Sequence, residues 1–277
     1  MDIYVINLDK ATARMTKTSA QLERMNLSFM RVSAVIGANL NLENSRINNF
    51  QFRITQMRDC TSGELGCAES HRLVWKKILK SNNPYSLILE DDVLLPGNLP
   101  QVLRLIEASK SMDIINLSST GTYPITSGKI DLLNSIKLKR RPYFKNKKQW
   151  KAIEAKSWKI FRLLEVGNLT LCECSMLPPL MSAYILTPRA CEALLETTTK
   201  ISYPIDYAFR HTKGNIIQGF CFPAYVHQNE KIKSTIGNRD NNIYIGKREF
   251  ILRFLFKKRS LKRRLSLLRM YGFKFLF

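Results

Sequence analysis

The chain of 277 residues is short of carboxylates. It carries 22 Asp and Glu against 44 Lys and Arg, a formal net charge of +22. That imbalance calls for an anionic partner: nucleic acid, an acidic lipid surface or a phosphorylated glycan. Long apolar runs are also missing, and none approaches the ~18 residues of a spanning helix. The opening residues Met1–Leu8 lack both a basic leader and a long apolar stretch. They read as a strand that begins the fold and not as a signal peptide, so the expected setting is cytoplasmic. The six cysteines form no CxxC pair and no Cys/His cluster at zinc spacing. They are expected to be reduced and structural, with Cys172 and Cys174 on one face of a strand. Internal repeats and low-complexity segments are absent too. So are the RRM, KH and zinc-finger patterns that would mark a nucleic-acid reader.

What is present centres on Ser86-Leu87-Ile88-Leu89-Glu90-Asp91-Asp92-Val93-Leu94-Leu95. The short apolar run Leu87–Leu89, bounded by Asn82-Asn83-Pro84, reads as a buried strand. It stops at three consecutive carboxylates. In open α/β sheets ligands bind at the carboxyl ends of strands. Three adjacent acids repel one another and resist burial unless a cation neutralises them. Hard oxygen donors suit Mg²⁺ or Mn²⁺, which usually also hold substrate phosphates. The plain alternative is a polar turn ahead of a helix.

The rest of the chain reads as one α/β domain with an appendage. Ile3–Leu8, Asp9–Met25 and Phe29–Val35 form a β-α-β opening, which predicts a parallel, nucleotide-binding type of sheet. Gly37–Asp59 is polar and Asn-rich and reads as a variable loop. Thr61–Leu79 reads as a helix opened by a capping box, Thr61 to Glu64. A helix at Leu99–Ser109, strands at Asp113–Leu117 and Ala183–Leu186, a helix at Pro188–Glu196 with Pro in its first turn, a loop and helix at Ile201–Phe209 and a last strand at Phe220–Val226 complete the domain. Residues 129–162 read as a basic insertion. Eleven Lys and Arg fall between Lys137 and Arg162, opposed only by Glu154. The catalytic domain is drawn at 1–245. Residues 246–277 hold eleven Lys and Arg against Glu249. Ile251, Phe254, Leu255, Leu261, Leu265 and Leu268 recur there at helical spacing. That pattern predicts a basic amphipathic tail for an anionic membrane surface. A helical pair packed on the core is the other reading.

Four segments occur in a telling order: Val5-Ile6-Asn7-Leu8-Asp9 with Arg14; Gly63-Glu64-Leu65-Gly66-Cys67-Ala68-Glu69-Ser70-His71; Leu89-Glu90-Asp91-Asp92-Val93; and Ser182-Ala183-Tyr184-Ile185 followed by Pro204-Ile205-Asp206. The order resembles glycosyltransferase family 25, the bacterial lipooligosaccharide galactosyltransferases and their collagen-modifying relatives, from about residue 2 to 236. The resemblance implies a GT-A-type, Rossmann-like mixed sheet flanked by helices. It implies transfer of a sugar, galactose from UDP-galactose with inversion, to a lipooligosaccharide acceptor at the inner face of the bacterial inner membrane. Glu90-Asp91-Asp92 then stands where such enzymes carry D-x-D. Asp92 is the first choice for the metal, joined by Glu90 and by the late His227. Arg14 is expected to reach the diphosphate or the base. Asn7 faces the nucleobase or caps the following turn. Ser70, His71, Glu90 and Asp91 join the donor site. Glu64 is a catalytic candidate or a stabiliser of its helix N-terminus. Asp206 is the general base for the acceptor hydroxyl or an N-terminal helix acid. A basic nucleic-acid-binding protein and a metal-dependent phosphohydrolase are the rival readings. No nucleic acid is expected as partner, because the basic residues interleave with apolar ones.

Overall fold

The computed structural model describes residues 1–41, 46–56, 58–120, 160–229 and 261–272. Its centre is an eight-stranded mixed sheet in the order β2-β1-β3-β8-β5-β9-β7-β6. The strands are β1 (Asp2–Asn7), β2 (Met30–Ser33), β3 (Ser86–Glu90), β5 (Ile114–Asn116), β6 (Ile160–Val166), β7 (Leu169–Cys174), β8 (Ala183–Leu186) and β9 (Gln218–Phe222). A two-stranded ribbon joins β4 (Val93–Leu94) to β10 (His227–Gln228). β2, β1 and β3 run parallel, whereas β8 enters antiparallel between β3 and β5.

Side chains on β1 alternate between two cores, as the two-residue period of a strand requires. Tyr4 and Ile6 join one, under α3 (Ser62–Ile78), α2 (Asn49–Gln56) and α5 (Pro188–Thr197). Ile3 and Val5 join the other, under α1 (Thr12–Arg24) and α4 (Leu99–Ser109). Because both faces are covered, the central strands read as continuous apolar runs. The order β2-β1-β3 opens a crevice between the carboxyl ends of β1 and β3, where chain connections diverge to either side.

Several expectations are revised. The stretch from Gly37 to Asp59 is no simple loop. It contains a 3₁₀ turn at Gly37–Asn39 and the amphipathic α2, which buries Phe52 and Ile54. The last strand ends at Phe222, and Tyr225 and Val226 instead donate their amides to the Leu117 carbonyl before β10 begins. Most of the basic insertion lies outside the described residues. Its final residues open β6, which pairs antiparallel with β7 through a turn at Gly167, whose φ is +59°. Of the tail, α7 (Leu261–Tyr271) is described, and it is docked. Leu267 and Arg263 are buried, Arg263 donates to the Ile216 carbonyl at 3.1 Å, Tyr271 bonds Glu173, and the Tyr271 and Phe161 rings stack at 3.8 Å. The docked face carries Arg263, Leu267 and Tyr271, whereas Leu265, which helical spacing placed on the apolar face, is exposed. Among the described residues no helix is long and apolar enough to cross a membrane.

Candidate active site

The crevice is a cavity of about 320 Å³, walled by the end of β3, the start of α1, the segment Val35–Ala38 and the first half of α3. The motif on α3 builds most of that wall. Thr61 caps the helix, its hydroxyl accepting the Glu64 amide while the Glu64 carboxylate accepts the Thr61 amide, both at 3.1 Å. The same carboxylate takes both Arg58 guanidinium nitrogens at 2.6 and 2.7 Å, in burial. Glu64 is therefore occupied structurally and does not line the cavity, which corrects its catalytic candidacy. Gly66 is small of necessity: a Cβ there would sit 2.6 Å from the Gly37 nitrogen and the Val35 oxygen. The two backbones touch, and Ser70 locks them by accepting the Val35 amide at 2.8 Å and donating to the Gly66 carbonyl at 2.7 Å. One turn beyond Cys67, His71 reaches the cavity, its Nε2 standing 3.4 Å from Glu90.

The three acids at the tip of β3 have unequal surroundings. Asp91 is satisfied by the protein. Asn7 donates to one oxygen at 2.6 Å and Arg14 to the other at 3.3 Å. Asn7 also donates to the Ala11 carbonyl and accepts from Arg31, so it caps the turn and holds Asp91 from beneath. Arg14 and Lys10 line the cavity as its cations. Asp92, only 7% exposed, accepts from Gln228 at 2.8 Å on one oxygen. Its other oxygen is buried and has no partner among the described residues. Burial, then the Glu90 charge, pushes the Asp92 carboxyl up to about 6; Asp91 adds to this, while Gln228 and Arg14 oppose it. Glu90 is the more open, its side chain 30% exposed.

An orphaned buried carboxylate oxygen beside a second acid is a fitting donor set for a hard divalent cation, and Asp92 with Glu90 would hold it. A second grouping exists, in which Cys67, His71 and Glu90 offer ligand atoms all within 4.8 Å of one another.

Two expected residues are not brought here. His227 is exposed on β10, opposite Leu94, while its neighbour Gln228 lines the cavity. Alternation along a strand sends adjacent side chains to opposite sides, so Gln228 takes the place expected of His227. Asp206 opens the short helix α6 (Ile205–Ala208), accepts the Leu180 and Tyr207 amides, and is not among the residues lining the cavity. The placement matches its plain reading as a helix N-terminal acid. Sequence reasoning missed Gln228, Cys67 and Lys10. The i,i+4 spacing from Cys67 to His71 was the available signal for Cys67.

A profile of glycosyltransferase family 25 (LPS biosynthesis protein) matches residues 1–209. The chain belongs to glycosyltransferase family 25. A putative glycosyltransferase of Haemophilus influenzae is 26% identical over 118 residues, 43% of this chain and 42% of that protein. The lipooligosaccharide biosynthesis protein lex-1 of the same organism is 30% identical over 114 residues, 34% of this chain and 38% of the relative. Procollagen galactosyltransferase 1-B of Xenopus laevis is 30% identical over 135 residues, 42% of this chain and 21% of the relative. Each match spans less than half of the relative's length. The family 25 match covers β1 to α6 and with them every lining residue of the cavity except Gln228, and the mixed sheet flanked by helices is the GT-A-type architecture expected of it.

Proposed function

We propose that this family 25 chain transfers a hexose from a nucleotide-sugar to a lipooligosaccharide hydroxyl, with UDP-galactose as donor and inversion to a β linkage. The observation that carries the reading is the unpartnered Asp92 oxygen among three acids, at the β1/β3 crevice of a nucleotide-binding type of sheet. Galactose is supported by the printed name of the Xenopus relative, and the acceptor by that of lex-1.

Asp92 and Glu90 would hold Mn²⁺ or Mg²⁺, which when bound supplies charge neutralisation to a departing diphosphate. Arg14 and Lys10 present cations to the same phosphates from the α1 side. Arg14 is held in place by Asp91, which Asn7 fixes in turn. Ser70 and the Gly37–Gly66 contact fix the opposite wall of the crevice. Glu90 faces the sugar side, with His71 behind it.

The working site is proposed to lie on the cytoplasmic face of the inner membrane. The outward side of α7, with Arg264, Leu265 and Arg269 exposed, contributes a basic and apolar surface. Purified protein incubated with Mn²⁺, a lipooligosaccharide acceptor and a panel of nucleotide-sugars should release UDP fastest from UDP-galactose, and EDTA should stop it. No release from any donor sinks the transferase reading, and EDTA-resistant release sinks the metal. Flotation with anionic liposomes tests the membrane: a chain that never floats ends that part.

A further inference from the structure

The buried cluster behind Glu90 has a hydrogen-bond polarity that its chemistry dictates. The Tyr184 hydroxyl lies 2.6 Å from His71 Nδ1 and 3.1 Å from Trp75 Nε1. An indole N–H can only donate, so the Tyr184 oxygen accepts from Trp75. Tyr184 is fully buried, and burial holds its phenol protonated. The one proton on that hydroxyl needs an acceptor, and His71 Nδ1 is the atom in reach. Were Nδ1 protonated instead, two donors would converge on one oxygen and a buried O–H would be left without an acceptor. In its neutral form His71 therefore carries its hydrogen on Nε2, the nitrogen facing Glu90 at 3.4 Å.

We propose that Trp75 and Tyr184 are positioning residues that fix His71 as the Nε2–H tautomer, so that it donates to Glu90 and sets the direction of that carboxylate in the cavity. The corollary concerns Cys67, His71 and Glu90. Although their ligand atoms cluster, the imidazole nitrogen on the cavity side has no lone pair to give a metal. Glu90 is thus a carboxylate held from behind by the Nε2–H donor, and any cation is left to Asp92 and to Glu90's outward oxygen. The signal runs from β8 through α3 to the tip of β3, which explains the placement of two polar aromatic groups in an otherwise apolar core. The effect on turnover rests on the glycosyl-transfer reading; the tautomer does not.

The full chain, labelled with ¹⁵N-histidine and freed of metal by EDTA, is examined by long-range ¹H–¹⁵N correlation at neutral to mildly basic pH. The chain has three histidines, and His211→Asn and His227→Asn assign the other two. The expected wild-type pattern for His71 is Nε2–H. In Tyr184→Phe it becomes a mixture, with kcat lower by about 10-fold and the donor KM within a factor of about two. If Tyr184→Phe does not fold, Trp75→Phe serves; it frees the phenol to rotate and should also yield a mixture. A wild-type Nδ1–H pattern overturns the proposal. So does a folded Tyr184→Phe, or Trp75→Phe in its stead, with an unchanged tautomer or unchanged kcat. Wild-type protein inert toward every nucleotide-sugar would sink the transferase reading while the tautomer result stood.

Discussion

At the cap of α3, Glu64 is 3% exposed and both its oxygens meet the Arg58 guanidinium. At the tip of β3, Asp92 is 7% exposed, with a glutamine amide on one oxygen and no partner among the described residues on the other. The two regions bury a carboxylate to nearly the same degree and differ in what surrounds it. At Glu64 the charge is matched, so the residue serves the helix start and the wall it supports. At Asp92 the charge is left partly unmatched, and two more acids stand beside it. A fold tolerates such a group where a ligand completes it. Motif position made Asp92 the first choice for a metal and Glu64 a catalytic candidate or a helix stabiliser; the pairing separates them.

The comparison breaks most visibly if one partner of the matched pair is removed. Glu64→Gln leaves Arg58 buried without its counter-charge and should cost about 3–5 kcal/mol of stability, read from urea denaturation. The folded fraction should keep wild-type turnover per molecule, and a folded but inactive Glu64→Gln would return Glu64 to the catalytic list.

Asp92→Asn should act in the opposite sense. Metal-free protein should gain about 2–3 kcal/mol from losing a charge that burial disfavours. Transfer should fall by at least about 100-fold, because several kcal/mol of charge stabilisation leave with the ligand. An Asn variant that is active, or no more stable, removes Asp92 from the metal role.

The pH dependence sharpens the same point. The Asp92 carboxyl is raised to about 6 in the folded chain, so the folded state holds that proton more tightly than the unfolded one. Its contribution is fully present below about pH 4 and is lost as pH rises through about 6. The stability difference between Asp92→Asn and wild type, measured without metal, should therefore open between about pH 4 and pH 6 and then level off. A flat difference would mean that Asp92 is solvated. The smallest effect is expected at the ribbon. His227→Ala should change stability by no more than about 0.5 kcal/mol, whereas Gln228→Ala should move the Asp92 transition to higher pH. Equal effects from the two would contradict the strand alternation seen there.

Much of this was legible before any coordinates. The capping box at Thr61 and Glu64 is read from four residues and is present as read. Leu99–Ser109 and Ala183–Leu186 have the expected bounds, since periodicity and caps are local. The six cysteines are unbridged, as expected, and Cys172 and Cys174 share one core face. The β6–β7 hairpin was missed although Gly167-Asn168 between two strand-like runs is a hairpin signal. α2 was missed because its apolar residues are few and sit in an Asn-rich stretch.

Sequence by itself settled the capped helices, the central strands and the acids at the end of β3 and pointed to the family, because turn chemistry, hydrophobic period and motif order act over a few residues. Only the tertiary structure decided the partners. It gave Asp91 to Asn7 and Arg14, left one Asp92 oxygen alone, turned Gln228 inward in place of His227, and laid α7 against β6 and β7. Each of those outcomes depends on which faces meet across the sheet. A carboxylate's role follows from the neighbours that burial forces on it, and those neighbours come from segments tens of residues away.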